Sequence, residues 1–150
     1  NSFVRVVEVQ TLRRDDALRA LGQARQAQDH AQMQLNQLQQ YAQEAEMRWK
    51  HRASQGVASQ LLHHHRQFMA RIDEAVRFQD GVMARLQGDV ERCEQAVLMA
   101  ERELASLSKY VERKRMEQLQ HLDRQDQKRN DEMAANVHRR QQTAQQWEQP

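Results

Sequence analysis

From Ala58 to Val111 the apolar residues return in alternating steps of three and four. With Leu62 set as an a position, the a sites are Leu62, Met69, Val76, Met83, Val90, Val97, Leu104 and Val111, all apolar. The d sites are Ala58, His65, Ile72, Gln79, Leu86, Cys93, Ala100 and Leu107, so His65 and Gln79 interrupt an otherwise apolar line. Asp73, Asp80, Glu94 and Glu101 fall on a flank. Such a pattern predicts an α-helix that buries one narrow seam against another helix.

The first third of the chain supplies a partner of the same period. Stepping back from Trp49, the a sites are Trp49, Ala42, Leu35, Gln28, Leu21, Arg14 and Val7, and the d sites are Ala45, Leu38, Ala31, Ala24, Ala17, Gln10 and Phe3. The many Ala residues let the backbones come close while Leu, Val and Met of the other helix fill the space. Between the seams, from Arg52 to Ser59, the period lapses. There Gly56 suits a left-handed helix ending and Ser59 suits an N-cap. A connection this short forces the helices antiparallel, which sets Ala45 near Phe68 and Met69, Leu21 near Cys93, and Phe3 near Tyr110.

The fold expected is therefore all-α: an antiparallel two-helix coiled-coil hairpin, forming a single domain. Helix 1 is expected at about residues 3–54, the turn at about 55–58 and helix 2 at about 59–140, longer and overhanging, with a frayed Gln-rich tail at about 141–150. Beyond Val111 the seam positions turn polar, at Lys114, Gln118, His121 and Gln125, and the apolar residues thin to Leu119, Leu122, Met133 and Val137. An isolated helix of that kind is marginal in water.

Composition sharpens the picture. The chain has 39% hydrophobic and 5% aromatic residues, one Pro and four Gly, too little apolar surface for a thick core and few helix breakers. No apolar run approaches the length of a membrane span, and a soluble, cytoplasmic protein is expected. A net charge of +2 from 23 basic and 21 acidic side chains predicts mixed helix faces and no nucleic-acid partner. Cys93, at a d site, reads as a small buried hydrophobe.

Chemistry-bearing constellations are sparse. His63, His64 and His65 are consecutive and point about 100° apart on a helix, which does not make a metal face. Gly81 and Gly88 lie inside the seam and form no phosphate loop, so no cofactor, metal or catalytic residue is expected. Arg113-Lys-Arg115, Lys128-Arg129 and Arg139-Arg140 make the segment past Val111 read as the most basic part of the chain, although acids interleave with them. Leu61, Phe68, Ala75 and Val82 recur every seven residues beside the seam, and Phe78 lies outside it. That stripe either widens the buried surface or leaves an apolar patch for a partner.

Several stretches resemble the FliJ family of flagellar type III export proteins. They are Arg13-Arg-Asp-Asp-Ala-Leu-Arg-Ala-Leu-Gly22, Tyr41, Gly56-Val-Ala, Gln67-Phe-Met-Ala-Arg-Ile-Asp-Glu-Ala-Val76 with Gln79, and Gln125-Asp-Gln-Lys-Arg-Asn-Asp-Glu-Met-Ala134. The resemblance implies a non-enzymatic stalk similar to the central subunit of rotary ATPases. Such a protein works in the cytoplasm, peripheral to the inner membrane at the flagellar base. Its implied partners are the export ATPase hexamer, the cytoplasmic domain of the export gate, and export chaperones. Carried over residue by residue, the gate-binding face falls on Phe68, Ile72, Ala75 and Gln79, the last a position where the family can have His. For the ATPase ring the same reading proposes Arg13, Arg14, Asp15 and Asp16 together with Arg124, Lys128, Arg129, Asp131 and Glu132. A stalk of a virulence secretion system, a nucleic-acid-binding helical arm and a generic structural coiled coil are the competing readings.

Overall fold

The computed structural model describes residues 2–148. The chain is all-α, built from α1 (Ser2–Ala53) and α2 (Ser59–Glu148), with no strand among the described residues. Among the described residues no helix is long and apolar enough to cross a membrane. Two compact units form: one is Glu8–Glu103, the other Asn1–Val7 with Leu104–Pro150.

In the Glu8–Glu103 unit the helices run antiparallel. Contacts that climb α1 descend α2: Arg25 meets Glu94 at 3.7 Å, Ala31 meets Gln79, Tyr41 meets Phe68, and Trp49 meets His65. Every heptad site from Gln10 to Trp49 on α1, and from Leu62 to Ala100 on α2, is buried or half-buried. Only Ala58, at the edge of the turn, is exposed. Leu21, Val90 and Val97 form a buried cluster, with Ala17, Ala24 and Cys93 packed against it. A two-helix seam has open edges, and among the described residues no side chain is fully enclosed.

Polar residues inside the seam find particular solutions. Gln79 is buried, and its Nε2 donates to the Ala31 carbonyl oxygen at 2.9 Å and to Gln34 Oε1 at 3.3 Å. The methyl side chain of Ala31 leaves that carbonyl within reach, and a carbonyl engaged in its own helix keeps a second lone pair. Gln28 donates to Gln87 Oε1, Arg14 pairs with Asp15 at 3.0 Å, and Gln10 Oε1 is buried without a partner.

The turn follows helix-ending chemistry. Ser54 N and Gly56 N donate to the carbonyls of Lys50 and Ala53, Ser54 Oγ donates to the His51 carbonyl at 2.6 Å, and Gly56 takes φ 89°. That left-handed conformation is the reason for a glycine here. Ser59 is not the N-cap it was expected to be. The Ala58 carbonyl accepts the first bonds of α2, from Leu61 N at 3.1 Å and Leu62 N at 3.3 Å, so Ala58 holds the cap position and Ser59 is the first helical residue.

In the other unit Phe3 meets Tyr110 edge-on, with ring centroids 6.4 Å apart, and Val111 is buried. Lys114 Nζ lies 5.6 Å from the Tyr110 ring centre and 3.3 Å from Glu117 Oε2. From Arg115 onward every described residue of α2 is exposed. The helix nevertheless continues to Glu148, through most of the stretch expected to fray. No Gly or Pro occurs between Gly88 and Pro150, and Thr143 Oγ1 donates to the Arg139 carbonyl at 2.9 Å while Gln142 Nε2 lies 3.1 Å from His138 Nε2. Gln149 and Pro150, the end of that expected tail, lie outside the described residues.

Candidate docking surfaces

The residues proposed for gate binding divide by depth. Ile72 and Gln79 are in the seam, 6% and 9% exposed, Ala75 is half-buried, and Phe68 is 37% exposed. The helix dictates this: Ile72 and Gln79 hold d sites seven residues apart, whereas Phe68 and Ala75 hold the neighbouring g sites on the seam's rim. The g stripe itself resolves into two parts. Ala75 and Val82 widen the seam, while Leu61 and Phe68 stay open to solvent, as does Phe78 outside the stripe.

Helix α1 contributes what the sequence reading did not single out as a face. Tyr41 meets Phe68 edge-on at 5.8 Å between ring centres, and Gln34, Gln37, Leu38 and Tyr41 line an open groove of about 400 Å³ with Gln79 as its α2 wall. The antiparallel register places these residues opposite Phe68 and Gln79, and following that register across the turn was the signal that could have found them.

The charged residues proposed for ring docking belong to separate units. In Glu8–Glu103, Arg13 and Asp16 are exposed and Arg14 and Asp15 half-buried, with Asp16 pairing Arg19 at 3.0 Å. In the other unit, Arg124, Lys128, Arg129, Asp131 and Glu132 are all exposed on α2.

The histidine run does not act as a set. The His65 ring stacks on the Trp49 indole, with centroids 4.3 Å apart and planes 7° from parallel, and its Nε2 lies 3.4 Å from Glu46 Oε2. A seam position that looked like a polar break is thus filled by a flat ring on a flat ring. His63 and His64 are exposed, and no group of three or more metal-ligating side chains gathers among the described residues.

What these surfaces have in common is that they are open helix faces and shallow grooves on two long helices, the architecture of a coiled-coil hairpin. The chain belongs to the family described as Flagellar FliJ protein, whose model matches residues 1–143. That family is part of the flagellar type III export machinery. No curated protein and no solved structure matches the chain.

Proposed function

We propose that this chain is a non-enzymatic stalk and adaptor of flagellar type III export that docks in the export ATPase ring and contacts the export gate and the export chaperones. It works as a cytoplasmic protein held peripherally at the flagellar base. The observation that carries the reading is the family match over residues 1–143, on a chain whose described structure is two long helices.

The physics of α2 past Lys114 supports the ring-docking part. An all-exposed helix with interleaved charges gains little from staying ordered alone, and a surrounding protein surface would supply the missing contacts. Lys128, Arg129, Asp131 and Glu132 then set register through charge complementarity. Gate contact falls on Phe68 and the edge of Ala75, with Ile72 and Gln79 holding the surface from beneath and Tyr41 extending it across α1.

The test is ATP turnover by the export ATPase with and without this protein. Stimulation by wild type and its loss on Lys128→Glu/Arg129→Glu reversal, with helix content and gate binding unchanged, is expected. Equal stimulation by both proteins removes the docking role from this segment; no stimulation by either removes the stalk reading.

A further inference from the structure

The charge of this chain is concentrated where the sequence reading did not look. From Met47 to Ile72 there are five cations, Arg48, Lys50, Arg52, Arg66 and Arg71, and no carboxylate. Four of the seven histidines lie in the same stretch. Because the whole chain nets only +2, everything outside it is net acidic, and the most basic part is the hairpin tip, not the segment past Val111.

Helix stability does not account for this. Lys50, His51 and Arg52 complement the dipole at the C-terminus of α1, but α2 opens with His63, His64, His65 and Arg66 and no acid in its first turn, where the dipole favours anions. All five cations are exposed, and among the described residues none of them forms an ion pair. Elsewhere Arg14, Arg19, Arg25, Arg92 and Lys114 each hold a carboxylate and the other cations form no ion pair among the described residues, so what sets the tip apart is the absence of acids between its cations. Acids bound the run on both sides, Glu44 and Glu46 before it and Asp73 and Glu74 after it, and Glu46 Oε2 lies 3.4 Å from His65 Nε2.

A groove of about 740 Å³ opens in this basic field. Its apolar wall is Tyr41, Met47, Trp49 and Phe68, and Arg48 and Arg52 stand on its basic side. Met47 is 71% exposed, a long apolar side chain held in solvent beside two guanidinium groups. The geometry points to a docking site for an acidic segment of a partner protein, with an apolar side chain in the groove and carboxylates on Arg48 and Arg52.

Two other polyanions fit less well. A membrane surface wants large apolar side chains at the apex, and the turn from Ser54 to Ser59 offers only half-buried Val57. A nucleic-acid strand wants cations spread along its track with free aromatic faces, whereas here the cations crowd one end and one face of Trp49 is covered by His65. The groove shares Tyr41 and Phe68 with the face proposed for gate contact but none of the residues proposed for ring docking, and its test alters only Arg48 and Arg52, so its failure and that of the stalk reading are distinguishable.

The experiment uses the full chain carrying Trp147→Phe, so that Trp49 is the sole indole. The probe is a short synthetic peptide of Glu and Asp around one Phe; its companions lack the Phe, or replace the acids with Lys. The expected result is saturable binding of the acidic Phe peptide, read by Trp49 emission and calorimetry, and weaker binding without the Phe. Arg48→Glu/Arg52→Glu should lower the affinity about tenfold or more, whereas the equal charge change Arg139→Glu/Arg140→Glu leaves it intact. Circular dichroism confirms the fold of both variants, and Arg48→Gln/Arg52→Gln gives an intermediate loss. Absence of binding at low salt, or equal loss in the two Glu variants, overturns the site. Preference for anionic phosphatidylglycerol vesicles or for single-stranded DNA over the peptide overturns the choice of partner.

Discussion

Gln79 offers the sharpest test of how the seam is held, because its amide fills a d site that Leu would fill in an idealised coiled coil. Two opposing terms decide what Gln79→Leu does. Losing the bond from Nε2 to the Ala31 carbonyl costs about 1 kcal/mol, at the low end for a buried bond because that carbonyl keeps its helical partner. Burying a Leu side chain at a site only 9% exposed contributes about 2 kcal/mol. Because the buried stem of Gln79 already contributes about 1 kcal/mol, the net expectation is a change near zero for Gln79→Leu, and a loss of about 2 kcal/mol for Gln79→Ala, which removes both the bond and the packed stem. Urea unfolding followed by far-ultraviolet circular dichroism measures both. If Gln79→Leu destabilised the protein by more than about 1 kcal/mol, the amide would contribute far more than an ordinary hydrogen bond and this accounting would fail. A gain in stability with new oligomers would show that Gln79 holds the helix pair in register, the best-attested use of a buried polar residue in a coiled coil.

Leu35→Ala, at a site 8% exposed, should cost about 2 to 5 kcal/mol and exposed Glu74→Ala near zero; equal melting temperatures would remove Leu35 from the seam. Gly56→Ala should cost about 1 kcal/mol, since nothing lies within 4 Å of the added Cβ and the φ of 89° alone is at issue; an unchanged urea midpoint would mean that the turn relaxes freely. Phe68→Ala should weaken gate binding more than it weakens the fold, because Phe68 is 37% exposed and meets Tyr41 only edge-on. Calorimetry showing unchanged gate affinity beside a collapsed melting temperature would make Phe68 a residue of the core.

Val90 and Val97 against Leu21, Cys93 beside that cluster, and Phe3 against Tyr110 all follow from the heptad period and one glycine. A coiled-coil seam is a repeating, local property: each site faces the partner because of its spacing from the last, and a short turn then fixes which residues meet. The cation run from Arg48 to Arg71 was equally present in the sequence, but its cations belong to two helices and only the turn between them gathers them at one end of the pair.

The sequence by itself determined the two helices, their direction and the identity of the seam. Only the tertiary structure decided how the seam's polar residues are satisfied and which rim residues stay open. Gln79 reaches the Ala31 carbonyl because Ala31 ends at a methyl, and His65 lies flat on Trp49 because the antiparallel register brings two rings to one level. The open rim at Leu61 and Phe68, and the groove uniting Arg48 and Arg52 of α1 with Phe68 of α2, depend likewise on what the opposite helix presents at each height. Period tells which way a side chain points; whether something is there to meet it is a property of the pair.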